Sequence, residues 1–589
     1  MTDDTAADRL TELAKRRGFF FRSSEAYGGV SGFYVYGPEG ATLKENLEDA
    51  WRDRFVRREG HMEIEAPNVM PEPVFEASGH LDGFDDMIVE CPECGASHRA
   101  DHIVEDNTDI EEAESIAITD IEEIVAENDV VCPSCGTELA GEPVEDFNLM
   151  FETTIGPGSS SPGYLRPETA QGIFVEFPRL KEYARGQLPF GVAQIGAAYR
   201  NEISPRKGLV RLREFAQAEL EHFVDPETDD PDLESVADVE VTLYSEAQQD
   251  DEDGEPVELT VQEAVEAGVV GSDWVAYYLG VAQGWYERIG VDMDRFRFRQ
   301  HRSGELAHYA ADCWDAEADT SAPGADPDWI EITGFAYRGD YDLTKHGEYA
   351  DDDFTIFKQY DDPITVERAT VDPEMSYLGP EFGGDAAAVG EALEDLAERD
   401  RTAFDDDTVT VDVDGDEYAV PVEKTGFSIE EVTEAGEHVT PHVVEPSFGV
   451  DRLVYTVLAH TLERDDAGED ADEDRTVLTL PPELAPTTVA VFPLMDKDGL
   501  GERAGEVAER LRQAGFEVAE DASGSIGRRY RRQDEVGTPY CVTVDYDTLE
   551  DGTVTVRDRD TTAQARVPVD DLPGVVADLR AGETTIGDL

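Results

Sequence analysis

Between Ala198 and Phe223 the chain reads AYRNEISPRKGLVRLREFAQAELEHF, two alternating stretches around a centre that carries Pro205 and Gly208. Side chains two apart on a strand share a face. Arg211, Arg213, Phe215, Gln217, Glu219, Glu221 and Phe223 therefore line one face, with the mostly apolar Leu212, Glu214, Ala216, Ala218 and Leu220 behind them. Arg200 and Glu202 share a face of the preceding strand, and the residues between the strand centres read as a hairpin loop. The segment is confined to a β-hairpin with one side in a core and one side charged.

The charged side matters because cations are scarce elsewhere. The 589 residues hold 47 Lys+Arg against 135 Asp+Glu, a net charge of -88, yet Arg200, Arg206, Lys207, Arg211 and Arg213 crowd into one loop. Such a block implies that something anionic docks there, a polyphosphate first of all. Guanidinium forks suit phosphates, Phe215 offers a ring for a base, and Glu219, roughly 13 Å along the strand at ordinary rise, suits an ammonium. The alternative is an exposed hairpin whose charges pair with each other.

Apolar content of 40% and aromatics at 9% describe a globular chain of two to four domains. Only eight of the basic residues are lysines. An acid-rich, Lys-poor surface fits a cytoplasm at multimolar salt, as in extreme halophiles, where self-repulsion is screened within about 3 Å at 1 M. The polar N-terminus, MTDDTAADRLTELAKRRG, has no signal-peptide character, and no apolar run is long enough to span a membrane. A cytoplasmic location is expected. The cysteines fall as CPEC (Cys91, Cys94) and CPSC (Cys132, Cys135), separated by 37 residues, with Cys313 and Cys541 apart. Paired CxxC knuckles point to a tetrahedral, structural Zn²⁺ in a reducing compartment, with four buried thiols as the alternative.

Composition shifts divide the chain at 1–90, an acidic insertion 91–150, strand-rich sequence 151–224, a second acidic insertion 225–272, a core-like stretch 273–345, a third insertion 346–440, an apolar segment 441–479, and a β-α-β-like domain 480–589. The second insertion is expected on the surface. The third is expected to hold a helix from Ala386 to Arg399 and short strands between Thr408 and Val422.

Five segments, in order, carry a resemblance: RRGFFFRSSEAYGGVSGFYVYGPEGATLKENLEDAW, VFEASGHLDGF, YLRPETAQGIFVEF, the RNE to QAELEHF block, and EPSFGVDRLVY. Together they resemble the class II aminoacyl-tRNA synthetases, and within them the dimeric glycyl-tRNA synthetases, over most of the chain. The resemblance implies an α+β fold: an antiparallel catalytic sheet flanked by helices and insertions, with a C-terminal α/β anticodon-binding domain from about 480. It implies ATP and Mg²⁺, glycine and tRNA(Gly) as ligands, and a homodimer with its interface near Pro67 to Pro71.

By resemblance, Arg200 would bind the α-phosphate and Arg452 the γ-phosphate. Asn201, Glu202, Val210, Arg211, Leu212, Arg213, Glu214 and Phe215 would complete one wall of the ATP site, with Phe215 on the adenine. Glu331 and Ile332 would form the ATP and magnesium strand, and Gly449, Val450 and Asp451 the turn before Arg452. Locally, Ser447 could cap the helix that holds Arg452 near its positive end, and Glu331 could instead be a strand carboxylate paired with Arg338. Glu168, Glu219, Glu445 and Ser447 would surround the glycine ammonium, with Phe215, Gln217 and Gly449 alongside and Arg99 and Arg338 near the carboxylate. The implied reaction is glycyl-adenylate formation, then transfer to the tRNA 3′ end, with no side-chain base in the first step. Arg528, Arg529, Arg531 and Arg532 form a second cationic island suited to RNA, though some could be structural. The island from Arg295 to Arg302 could be only a strand edge. A synthetase of the same class for another amino acid, a non-catalytic accessory or regulatory subunit, and a generic nucleotide-binding module are the competing readings.

Overall fold

The structure is a computed structural model. It describes residues 6–589 except 109, 111, 112, 114, 115, 129, 158–160, 206, 207, 252, 253, 305–311, 323, 324, 414 and 466–474. Arg206 and Lys207 of the cationic loop thus lie outside the described residues.

Two compact units are present, 1–354 with 440–589, and 355–439. The first is built on a nine-stranded sheet whose strands, in chain order, are β1 (Met62–Glu63), β2 (Phe190–Tyr199), β3 (Glu214–Val224), β4 (Glu240–Tyr244), β5 (Val257–Thr260), β6 (Phe296–Gln300), β7 (Asp312–Asp319), β8 (Trp329–Gly339) and β9 (His442–Gly449). Across the sheet they run β5-β4-β6-β7-β8-β9-β3-β2-β1. All neighbours are antiparallel except β1 with β2 and β4 with β6. Contrary to expectation, the second acidic insertion supplies β4 and β5 and so extends the sheet: Val241 and Leu243 alternate inward at 2% and 0% exposure, which period-2 patterning allows even in an acidic segment.

One face of the sheet packs against helices that include α1 (Pro38–Trp51), α2 (Asp273–Arg288) and α3 (Val450–Thr461). Their apolar stripes meet Ala218, Leu220, Phe335 and Phe448. Phe448 is the anchor of β9, with ring centroids 4.7 Å from Phe55, 5.5 Å from Trp285, 5.8 Å from Trp51 and 5.9 Å from Phe335. A buried aromatic of this kind contributes about 3–5 kcal/mol relative to alanine. Because alternation is strict, fixing Phe448 toward the helices sends Ser447 and Glu445 to the opposite face.

The 91–150 region folds on its own small core, with Ile103, Val104, Ile121 and Val125 packed beside a three-stranded sheet of 85–90, 97–99 and 144–148. The C-terminal sheet has five strands in the order 518–520, 489–493, 540–544, 553–558, 564–568, the first three parallel. The second unit, 355–439, has two long paired strands, Ile356–Thr370 and Ser428–Val439, the helix Ala386–Arg399, and a hairpin of Thr408–Val413 with Asp416–Pro421. No helix among the described residues is long and apolar enough to cross a membrane.

Candidate active site

The uncovered face of β3, β8 and β9 forms a cleft closed by Arg200, Glu202, residues 209–212 and the start of α3. Arg200 sits with its guanidinium 5.4 Å from both the Phe84 and Phe215 rings while its Nε donates to the Pro167 carbonyl (3.1 Å). Among the described residues no carboxylate pairs with it. Arg211 follows at the end of the loop, its Nε 3.1 Å from Glu202 Oε2. Arg452 donates from Nε to the Val210 carbonyl (3.1 Å) and from Nη1 to the Glu331 carbonyl (2.8 Å), and Nη1 lies 3.0 Å from Glu331 Oε2. Three guanidiniums thus converge on a cleft bounded by the Phe215 ring.

Glu331 reaches this cleft through a bulge. Glu317 pairs with Glu331 and Ala316 with Thr333, so Ile332 is skipped and alternation resets. Ile332 turns into the core at 1% exposure and leaves Glu331 on the cleft side with Gly334. The carboxylate alternative named Arg338 as its partner; the partner is Arg452, which holds the Glu331 proton affinity below the usual carboxylate range.

Other predicted ATP residues have different surroundings. β3 begins at Glu214, so Arg211 and Arg213 belong to the loop and not to the strand face. Arg213 donates to the Glu202 and Ser31 carbonyls and braces the loop. Gly32 permits this, since at φ +78° a Cβ would meet Pro205 and Arg213 at 2.9 and 3.0 Å. Glu214 points to the opposite side of the sheet, where it lines a separate cavity with Lys44 and Arg52. Asn201 is engaged through its backbone with Leu149, and Leu212 and Val450 are buried in the core. Asp451 accepts from Tyr36 Oη and from the Ala216 amide (2.5 Å), tying α3 to β3. Gly449, not Ser447, is the N-cap of α3, because β9 continues through Gly449.

Beyond the arginines the cleft deepens into a nest of carboxylates. Glu219, 1% exposed, accepts from Ser447 Oγ (2.7 Å), Gln217 Nε2 (2.9 Å), the Ala170 amide (2.6 Å) and Thr169 Oγ1. Glu168 accepts from Gln171 Nε2 (2.9 Å) and lies 3.6 Å from His80 Nε2. Glu445 takes a 2.7 Å bond from Arg338 Nη1, while Asp342 clamps the same guanidinium at 2.7 and 2.8 Å. Burial pushes Glu445 up to about 7 against the pull of Arg338, with Glu219 and Glu168 adding to the rise. Burial would also raise Glu168, but His80 and Arg338 hold it below the usual carboxylate range. Carboxylates outnumber cations in this buried space, an arrangement that calls for one more cation. Sequence reasoning missed His80, Thr169 and Asp342; the first two stand inside the quoted VFEASGHLDGF and RPETAQG segments, which is the only signal they give. Arg99 is paired with Asp86 (3.1 Å) and Asp101, and both Arg99 and Asp86 act electrostatically on Arg211.

The four cysteines of the CxxC pairs bring their sulfurs within 4.8 Å of one another. Each knuckle closes the same way: Gly95 donates to the Cys91 carbonyl and Gly136 to that of Cys132, with positive φ at both glycines (+66° and +76°). Four thiols on two such turns fit a tetrahedral metal. In the C-terminal domain Arg529 is caged by the carbonyls of Ala522, Ser523, Gly524 and Pro493, and Arg532 pairs with Asp521, so these two members of that cationic island have structural partners. Arg297 of the third island pairs with Glu317 (2.7 Å) between the Tyr244 and Trp329 rings, inside the sheet and not at its edge.

The family described as tRNA synthetase class II core domain (G, H, P, S and T) matches residues 160–461, and the anticodon binding domain matches 488–579. The chain is 49% identical to a glycine–tRNA ligase of Methanothrix thermoacetophila over 98% of its own length and 97% of that protein's. It is 43% identical to one from Methanocaldococcus jannaschii (96% and 97%) and 45% identical to one from Thermococcus gammatolerans (98% and 98%). Among solved structures, a prolyl-tRNA synthetase from Cryptosporidium parvum complexed with L-proline and AMP aligns with TM-score 0.50 at 12% identity, covering 98% of this chain and 78% of that one, a likeness of fold alone. The chain belongs to the class II aminoacyl-tRNA synthetases, as a member of the glycine–tRNA ligase family.

Proposed function

We propose that the cleft activates glycine with ATP and passes the glycyl group to the 3′ end of tRNA(Gly). The chain is an aminoacyl-tRNA ligase, and the observation that carries amino-acid activation is the carboxylate nest around Glu168, Glu219 and Glu445 at the end of a tri-arginine cleft, while 49% identity to a glycine–tRNA ligase supports glycine as the amino acid. An ammonium supplies the missing cation.

In the first step a carboxylate oxygen of glycine attacks the α-phosphorus of ATP, the bond to the β-phosphate oxygen breaks, and pyrophosphate leaves. The attacking carboxylate is already ionised, so positioning and charge neutralisation carry the step. Arg200 faces the α-phosphate, Arg211 and Arg452 the distal phosphates, and Phe215 the adenine. Glu331, a cleft carboxylate on a fixed strand, fits a hard cation; Mg²⁺ there would neutralise phosphate charge. In the second step a ribose hydroxyl of tRNA attacks the glycyl carbonyl and AMP leaves. Cys91, Cys94, Cys132 and Cys135 would hold a structural Zn²⁺.

A homodimer, a cytoplasmic location and a high-salt milieu belong to the same reading, the last because the -88 charge needs screening. The test is aminoacylation of a tRNA(Gly) transcript. Stable acid-precipitable glycine on that transcript, with none on a tRNA(Pro) transcript, is expected; charging of neither overturns the reading.

A further inference from the structure

One titratable group in the nest has no role in this account. Glu221 lies on the cleft face of β3, two residues beyond Glu219, at 0% exposure. Among the described residues no N–H or O–H reaches either of its carboxyl oxygens. Beyond it Phe223 packs against Phe177 and Phe190, with centroids 4.9 and 5.0 Å away, so that side is lined by aromatic rings. Its cross-strand neighbour follows from the register: Glu219 pairs with Ser447 and His222 with Val444, which sets Glu221 opposite Glu445.

An ionised carboxylate that buried, without a donor and across from another carboxylate, is too costly to persist. The charged groups around it offer little relief. Glu219 is on its own strand, Glu445 is on β9, Arg338 on β8 is already held by Glu445 and Asp342, and Glu168 faces the same nest. Burial and then Glu445 push its proton affinity well above the usual carboxylate range, against the pull of Arg338. A neutral carboxyl differs from an ionised one in carrying a donor, and Glu445 is the acceptor opposite.

We propose that Glu221 is a positioning residue of the glycine pocket, a neutral carboxylic acid that keeps its proton and donates an O–H hydrogen bond to the Glu445 carboxylate, so that Glu445 stays ionised and aimed at the substrate ammonium while the nest carries one charge fewer. The inference rests on the glycine-activating reading of the cleft. It explains how so many carboxylates share one buried space, and why a residue that touches no donor is a glutamate.

The experiment compares wild type, Glu221→Gln and Glu221→Leu in glycine-dependent ATP–pyrophosphate exchange from pH 5.5 to 9, with KM for ATP and thermal unfolding alongside. The amide of Gln keeps a donor, so its kcat/KM for glycine stays within about threefold of wild type at pH 8. Leu removes the donor and moves the acid limb for glycine up by about one pH unit, a tenfold change in proton affinity, with KM for ATP unchanged. Infrared difference spectra of wild type minus Glu221→Gln at pH 8 carry the carbonyl band of a protonated carboxylic acid, a signature that stands even if the Leu variant fails to fold. The proposal is overturned by a difference spectrum with carboxylate bands alone, by a Leu profile superimposed on wild type, or by a Gln variant that loses glycine activation at every pH. Wild type without glycine-dependent exchange at any pH would instead overturn the functional reading beneath it.

Discussion

Glu331→Gln isolates the contact between the two halves of the proposed phosphate site. Glu331 pairs with Arg452 at 3.0 Å, but the side chains are 49% and 31% exposed. Screening at that exposure limits such a pair to at most about 1 kcal/mol. Arg452 keeps its orientation without it, since its bonds to the carbonyls of Glu331 and Val210 are to the backbone. Removing the charge should therefore lower unfolding stability by no more than about 1 kcal/mol. The released guanidinium should bind metal-free ATP tighter by up to about fivefold, the equivalent of that energy. Magnesium should act in the opposite sense: its addition strengthens ATP binding to wild type and does much less for the variant, which lacks the carboxylate oxygen. Isothermal titration with ATP, with and without Mg²⁺, reads both effects. Metal-free ATP binding no tighter to the variant than to wild type, or an unchanged response to magnesium, would refute the reasoning.

Three further outcomes are expected. Burial pushes Glu445 up to about 7, and in the proposed glycine pocket it must be ionised to accept an ammonium, so kcat/KM for glycine should fall about tenfold per unit as pH drops below about 7; a flat profile between pH 5.5 and 8 would sink the assignment. Protein prepared without chelator should hold at least about one zinc per chain, and Cys132→Ser should hold none and lose hydrogen-exchange protection across 85–148, because metal binding and local folding are coupled; less than one zinc per chain in the unstripped protein contradicts this. In dilute buffer the -88 charge is unscreened and circular dichroism should report unfolding that molar salt reverses; a fully folded spectrum at low salt would remove the high-salt reading.

What the sequence makes legible is what short-range physics decides. The hairpin of β2 and β3, with Gln217 and Glu219 on the cleft side and Ala218 and Leu220 on the core side, follows from period-2 alternation. The two knuckles follow from CxxC spacing and the glycine after each, and the helix Ala386–Arg399 from its apolar spacing. What stays hidden depends on register and on partners distant in the chain. A bulge at Ile332 aims Glu331, and nothing in DWIEITGF announces it. Ser447 looks like a helix cap until the pairing of β9 with β3 makes it a donor to Glu219. Arg211 and Arg213 read alike, yet one faces Glu202 in the cleft and the other braces backbone. Glu221 reads as one more member of an alternating row, and only burial without a donor sets it apart.

The central claim is that the tri-arginine cleft and its carboxylate nest hold ATP and glycine for adenylation. ATP–pyrophosphate exchange by the full chain at molar salt, run without tRNA on each of the twenty amino acids, tests it most directly. Exchange dependent on glycine, with alanine and proline at background, is the predicted result. Exchange driven by another amino acid, or by none while the protein is folded, would contradict it.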